Sequence, residues 1–350
     1  MKKLKVVILG ATGMVGQRFV QLLAEHPWFE IASLTASDRS AGKPYAEACT
    51  WRQDTDMPES VKSMIVQPSE PNVEGSVAFS GLDAGVAGEV ELAFAAAGYG
   101  VVSNAKNHRM AADVPLLVPE INPDHIDIIP IQQKNRGWNT GFIVTNPNCV
   151  AVPMAMALGP LHKRWGVEKV FVVTMQALSG AGYPGHAALD IIDNVIPFIG
   201  GEEPKVEVES NKILGTMANN SFVHADFRTS AMVNRVAVID GHMLSLSIAF
   251  KQKPSVDEVK QTLREFTSEP QQLQLPSAPI PPIVVRDEDN RPQPRLDRNT
   301  GNSMGVSIGR VRECPLFDIK MTVLGHNTIR GAAGAAILNA ELLKAKGYLD

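Results

Sequence analysis

Leu4–Lys5–Val6–Val7–Ile8–Leu9–Gly10–Ala11–Thr12–Gly13–Met14–Val15–Gly16 is the stretch on which the reading of the first half of the chain turns. Residues 4–9 are aliphatic apart from Lys5, which predicts a strand buried on both faces of a parallel sheet. Three glycines follow at once, and Val15, Phe19, Leu22 and Leu23 then recur at helical spacing until His26–Pro27 ends the run. Strand, glycine turn and helix make the opening of a βαβ unit. Its glycines let the turn tighten and let the backbone approach a pyrophosphate seated on the helix N-terminus. The spacing is G-x-x-G-x-x-G rather than the commoner G-x-G-x-x-G, so an unliganded glycine turn is a competing reading.

The next strand, residues 31–36, ends in Ser37–Asp38–Arg39–Ser40, where the ribose of a dinucleotide would lie. A guanidinium and two hydroxyls suit the 2′-phosphate of NADP, whereas Asp38 alone would suit the 2′-hydroxyl of NAD. NADP is the expected cofactor. The alternation of strand and helix continues through residues 76–107 and ends in a loop closed by Arg109, a candidate anion clamp at the carboxyl end of the sheet.

A second key stretch is Thr145–Asn146–Pro147–Asn148–Cys149–Val150. The apolar residues before it read as a strand and residues 152–161 after it as a helix, which puts Cys149 in a turn at a helix N-terminus. Such a position favours thiolate and predicts a lowered thiol pKa, although a buried structural cysteine has the same local pattern. A nucleophilic thiol behind a dinucleotide fold suggests aldehyde oxidation through a thioester, or the reverse. That chemistry calls for a base near neutrality, and His242, at the end of the run that begins at Arg235, is the best-placed histidine.

Past Pro160 the pattern shifts to longer strands, residues 167–175 and the alternating Leu244, Leu246, Ile248 and Phe250. A capping box, Ser255 with Glu258, opens a helix whose apolar side carries Val256, Val259, Leu263 and Phe266. Residues 276–303, rich in proline and charge, read as an extended excursion or subunit contact. The small-residue stretch from Asn327 onward reads as a helix that returns to the first domain.

The chain of 350 residues is long enough for two domains. Its hydrophobic share of 44%, charged share of 20% and net charge of −4 are those of an ordinary globular protein, without the basic cluster a nucleic-acid partner would require. No apolar run approaches a membrane span, and the opening residues lack the core of a signal peptide, so a cytoplasmic protein is expected. The three cysteines, Cys49, Cys149 and Cys314, have no metal-ligand spacing, and no disulfide framework or metal site is expected.

Gly10 to Gly16, Ser37 to Lys43, Ser103 to Asn107, Asn148–Cys149, Gln176 to Gly182, Arg235 with Gly241–His242, and Arg291 to Arg298 together resemble aspartate-semialdehyde dehydrogenase of the archaeal and fungal branch, over nearly the whole length. The resemblance implies an α/β Rossmann-type dinucleotide-binding domain, residues 1–150 completed by a C-terminal helix within 327–350. An α+β catalytic and dimerisation domain would occupy residues 151–326. It implies Cys149 as nucleophile, His242 as acid/base, and Gln176 as a group that orients the acyl carbon. Gly10, Thr12, Gly13, Met14, Val15, Ser37, Arg39, Ser40, Ser179, Gly180 and Asn327 would hold NADP. Arg109 and Lys212 would meet phosphate, Glu209 the substrate ammonium and Arg235 its α-carboxylate. The implied partners are the small-molecule substrate, inorganic phosphate and further copies of the chain in a homodimer or homotetramer. The family often continues Cys–Ser–Thr after the nucleophile, whereas this chain has Val150–Ala151. A malonyl-CoA reductase on the same scaffold, an N-acetylglutamyl-phosphate reductase and a non-catalytic NADP-binding redox sensor are the alternatives.

Overall fold

In the computed structural model, which describes residues 2–349, the chain builds two six-stranded sheets. The outermost residues of the expected domain limits, 1 and 350, lie outside the described range. The first sheet comprises β1 (Leu4–Leu9), β2 (Phe29–Ala36), β3 (Gln67–Pro68), β4 (Val77–Ser80), β5 (Gly100–Ser103) and β6 (Phe142–Thr145), in the order β3-β2-β1-β4-β5-β6. All of its pairings are parallel. The near-continuous aliphatic run of β1 follows from its position. Val6 and Ile8 face one core with Phe19 and Phe79, and Val7 and Leu9 face another with Phe94. Strand order reverses between β1 and β4, so the crevice beyond their carboxyl ends is where an open parallel sheet binds ligands.

The second sheet holds β7 (Val167–Gln176), β10 (Arg228–Arg235), β11 (His242–Phe250), β12 (Ile283–Arg286), β13 (Val306–Glu313) and β14 (Ile319–Gly325), in the order β10-β7-β11-β14-β13-β12. A small hairpin, β8 (Thr216–Ala218) with β9 (Ser221–Val223), lies apart from it. β7 pairs parallel with β10 and antiparallel with β11, which pairs antiparallel with β14. One face is sealed by the helix Ala151–Trp165 and by the helix Val256–Arg264, whose Ser255–Glu258 capping box is formed. The other face alternates between half-buried and exposed residues.

Three expectations are adjusted. The helix after Cys149 runs through Pro160 to Trp165, because nearly every side chain of residues 151–161 is buried and this packing outweighs the one lost backbone bond. Residues 276–303 are not wholly an excursion, since β12 pairs in parallel with β13 at the sheet edge. The C-terminal segment begins as a π-helical turn, Ile329–Ala333, before the α-helix Gly334–Ala345. Ile337, Leu338 and Leu342 of that helix pack into the core of the first sheet.

Candidate active site

The glycines of the turn are under different constraints. Gly10 has φ +75°, and a Cβ there would lie 3.0 Å from the Gly81 carbonyl oxygen at the end of β4. At Gly16 a Cβ would fall 2.1 Å from the Gly10 oxygen, so only glycine lets the first helix, Met14–Leu23, start this close to β1. At Gly13 a Cβ would meet only the Gly10 oxygen, at 3.4 Å. The fold itself therefore leaves room for a side chain at this position. Met14, Val15 and Gly16 begin the helix and have no carbonyl a turn behind them to bond. Tyr45 Oη donates to the Ala11 carbonyl at 2.8 Å and Gln17 Nε2 to the Thr12 carbonyl at 2.9 Å, bracing the loop. Ser37 and Arg39 are exposed beyond β2, where the amides of Ser40 and Ala41 donate back to the Ser37 carbonyl at 2.8 and 3.1 Å. Met14 and Arg18 share a cavity of about 230 Å³ with Ser179, Ile239 and Thr328, so the turn of the first sheet and the loop after β7 border one space. These features fit a bound dinucleotide.

Cys149 stands where the two sheets meet. β6 ends at Thr145, and Asn146 Nδ2 donates to Asn104 Oδ1 and to the Ala332 carbonyl, both at 2.9 Å, fixing the turn between β5 and the C-terminal segment. The other sheet brings three strand ends to the same place. Gln176 closes β7, Arg235 lies opposite it on β10, and His242 opens β11. Cys149 Sγ is 3.2 Å from His242 Nε2. The Ala177 N–H donates to His242 Nδ1 at 3.0 Å, and Arg235 Nη1 donates to the Ala177 carbonyl at 2.6 Å. Gln176 Nε2 donates to Thr174 Oγ1 at 3.3 Å. A Cβ on Gly180 would lie 3.0 Å from both His242 Cε1 and Arg235 Nη1, so this glycine keeps open the space above both side chains.

Arg109 and Glu209 are brought together. Arg109 Nη1 donates to Glu209 Oε1 at 2.9 Å, and Nη2 donates to the Asn104 carbonyl at 2.8 Å. Glu209 Oε2 accepts the Asn148 N–H at 2.6 Å. Arg109 Nε and Arg235 Nε are buried without a partner among the described residues. Asn327 Oδ1 accepts the Gly241 N–H at 2.8 Å and its Nδ2 donates to Ser179 Oγ at 2.7 Å, tying β11, the loop after β7 and the C-terminal segment together.

Two expectations are corrected. Lys212, expected at phosphate, is 1% exposed and gives its ammonium hydrogens to the carbonyls of Arg109, Ala111 and Val114 at 2.7–2.8 Å. It fastens the Arg109 loop instead, and burial lowers its pKa to about 8. The Cys149 thiol pKa is raised, not lowered. Burial, with the nearby Glu202 charge, pushes it up to about 12 against the opposing cations Arg109, Arg235 and Lys205. Asn148 Oδ1 also takes the Val150 N–H at 2.8 Å, so this amide at the helix start is already capped. Burial, reinforced by Arg235 and His326, drives His242 down to about 3.

Some site residues escaped the sequence reading. Glu202 Oε1 accepts Asn148 Nδ2 at 2.8 Å, a contact between residues 54 apart that no local pattern signals. A Cβ on Gly331 would lie 2.8 Å from Cys149 Cβ, so the π-helical turn passes against the nucleophile only because this residue is glycine.

A dinucleotide fold opposed by a half-buried thiol, a buried imidazole and two guanidiniums defines a thiol-dependent dehydrogenase acting on a small anionic substrate. Comparison with known proteins agrees in detail. The family model for the semialdehyde dehydrogenase NAD binding domain matches residues 5–129, and that for the semialdehyde dehydrogenase dimerisation domain matches residues 158–330. The aspartate-semialdehyde dehydrogenase of Methanothermobacter thermautotrophicus is 49% identical over 342 residues, 97% of this chain and 98% of that one. That of Cryptococcus neoformans is 49% identical over 360 residues, 99% of each. The crystal structure of the Candida albicans aspartate-semialdehyde dehydrogenase with NADP superposes with a TM-score of 0.92 at 46% identity, covering 99% of this chain and all of that one. The chain belongs to the aspartate-semialdehyde dehydrogenase family, and its likeness extends to both the archaeal and the fungal members.

Proposed function

We propose that the protein interconverts 4-phospho-L-aspartate and L-aspartate 4-semialdehyde, releasing or consuming inorganic phosphate, through a thioester on Cys149. The observation that carries this reading is the 3.2 Å approach of Cys149 Sγ to His242 Nε2 at the meeting edge of the two sheets. A sulfur there can attack an acyl carbon while the imidazole serves the charge that develops on sulfur and oxygen. When bound, NADP(H) supplies or accepts the hydride. Gly10, Thr12, Gly13, Met14 and Val15 would hold its pyrophosphate and Ser37, Arg39 and Ser40 its 2′-phosphate, with Ser179, Gly180 and Asn327 at the nicotinamide end.

The substrate charges have matching groups. Arg235 commits Nη1 to the Ala177 carbonyl, which leaves its unpartnered Nε edge for a bidentate carboxylate. Arg109 keeps Nε for phosphate. Glu209 accepts one bond on each oxygen, and each oxygen has a further lone pair for an ammonium. Gln176, at the end of β7, would orient the acyl oxygen. Residues 1–150 with 327–350 form the nucleotide domain in this reading, and 151–326 the catalytic and dimerisation domain. A second copy of the chain would cover the apolar surface at the edge strand β10, where Met232 on that strand and Ile192 and Phe198 on the segment bridged to it through Ile196 are 55%, 64% and 68% exposed.

The test is NADP⁺ reduction with L-aspartate 4-semialdehyde and phosphate, run beside malonate semialdehyde with coenzyme A. Turnover is expected only with the first pair. Cys149→Ala should lower it by about 10³-fold or more, since covalent catalysis is lost outright. Turnover only with the second pair would overturn the substrate assignment.

A further inference from the structure

The loop that ends in Arg109 faces one buried carboxyl at both of its ends. Glu91, on the helix Ala84–Ala96, is fully buried. Ser103 closes β5 and donates its hydroxyl hydrogen to Glu91 Oε1 at 2.7 Å, while its oxygen accepts the Ala105 N–H at 3.0 Å. A hydroxyl has one hydrogen, so Oε1 is an acceptor here and any acid proton of Glu91 belongs on Oε2. The far end of the loop meets that second oxygen, with His108 Nε2 at 3.8 Å. Glu91 Oε2, His108 Nε2 and Ser80 Oγ are all buried without a hydrogen-bond partner among the described residues. Such atoms are costly to leave unpaired, and a shift of under about 1 Å brings the carboxyl and the imidazole within bonding distance.

The helix also touches the middle of the loop. Asn107 Nδ2 donates to the Ala84 carbonyl at 3.0 Å, and a Cβ on Gly88 would lie 3.0 Å from that nitrogen. What the loop carries is the anion clamp. The Asn104 carbonyl accepts Arg109 Nη2 at 2.8 Å, and Asn104 Oδ1 accepts Asn146 Nδ2 at 2.9 Å, three residues before Cys149. No cation lies within hydrogen-bond distance of Glu91 among the described residues. The charged and titratable groups that face the pair are Arg109 on the loop and the mutually bonded Arg136 and Asp113. Burial raises the Glu91 carboxyl above its ordinary value, opposed by the Ser80 and Ser103 hydroxyls and Arg109, and burial lowers His108.

We propose that Glu91 is a positioning residue for the Arg109 clamp: a neutral carboxylic acid whose Oε1 anchors the start of the loop through Ser103 and whose Oε2–H meets His108 Nε2 as the loop closes on phosphate. It acts through Ser103 and His108 and touches no substrate. The role rests on the reading of Arg109 as the phosphate contact. A carboxylic acid suits the place because it accepts on one oxygen and donates from the other with no charge to bury, and a glutamine side chain does the same.

Two measurements on the full chain test this. The infrared difference spectrum of parent against Glu91→Gln at pH 7 should show the C=O stretch of a protonated carboxylic acid in the parent alone. Loss of carboxylate bands instead would mean an ion pair with His108 and overturn the proposal. This readout needs no substrate. In phosphate-dependent NADP⁺ reduction, Glu91→Met should raise the phosphate KM by about tenfold or more, and the KM for L-aspartate 4-semialdehyde should move less. Glu91→Gln should recover most of that loss. Equal losses in the two variants would mean that negative charge is what the loop requires, contrary to the proposal. Arg109→Gln separates this role from the reading beneath it. A phosphate KM that rises in Arg109→Gln but not in Glu91→Met would sink the role of Glu91 alone, whereas one that Arg109→Gln leaves unmoved would sink the phosphate reading as well.

Discussion

At the scale of single residues, the site works by setting buried charges against one another. The Cys149 thiol shows this most directly, since burial and Glu202 raise its pKa to about 12 while Arg109, Arg235 and Lys205 oppose them. Thiolate is the alkylated form, so in the cofactor-free protein the rate of iodoacetamide labelling at Cys149 should climb roughly tenfold per pH unit from pH 6 to 9. A plateau near neutrality would mean the thiolate is already formed. Lys212 belongs to the same scale. Replacing it by Met leaves the carbonyls of Arg109, Ala111 and Val114 without their donor. At about 1–3 kcal/mol for each unpaired buried group, Lys212→Met should cost about 3 kcal/mol or more in urea unfolding at pH 7. Its pH dependence has a definite sign. Burial lowers the folded-state pKa to about 8, so between there and the ordinary Lys value of 10.5 the unfolded chain binds more protons. Stability from this group therefore rises with pH across that window. The gap in stability between parent and Lys212→Met should widen correspondingly, and a constant gap would contradict the assignment.

Elements meet the site by their ends, and the glycines record how closely. The π-helical turn Ile329–Ala333 packs Gly331 against Cys149, where a Cβ would lie 2.8 Å from Cys149 Cβ and 2.9 Å from its Cα. Both neighbours are rigid, so Gly331→Ala must push the nucleophile out of line with His242. A misplacement of the order of 1 Å costs about 10²-fold in rate. Gly331→Ala should show that loss in kcat while keeping its NADP⁺ affinity, measured by fluorescence titration of the folded protein. The first helix makes the opposite prediction. Gly16→Ala would set a Cβ 2.1 Å from the Gly10 oxygen, and forcing that contact should remove nucleotide binding before it alters reactivity at Cys149.

Across the whole molecule, the C-terminal segment joins the two sheets. Arg330 and Glu120 form a fully buried pair at 2.8 Å, next to Gly331 and hence to the nucleophile. The segment that bridges to the edge strand β10 through Ile196 and Arg235 carries the exposed Leu189, Ile192, Val195 and Phe198, and Met232 on β10 is exposed as well. Exposed apolar clusters of this kind mark interfaces. Phe198→Asp combined with Ile192→Asp should shift the protein toward monomers in sedimentation velocity at micromolar concentration. An unchanged oligomer would place the contact elsewhere.

The nucleotide fold was legible in the chain because it rests on local signals: an aliphatic strand buried on both faces, glycines at a turn that sterics demand, and a helix with one apolar side. Cys149 was legible for the same reason, as a turn residue between an apolar strand and a helix. The seven motifs, taken in order, carried the resemblance that placed the chain in its family. What Lys212 bonds to and how high the Cys149 thiol is pushed were decided only by the tertiary structure. These depend on groups distant in sequence, such as the Lys212 ammonium with carbonyls about 100 residues earlier and Cys149 with Glu202. A local pattern specifies backbone geometry. The energy of a buried charge is set by everything packed around it, and only the folded chain brings those groups together.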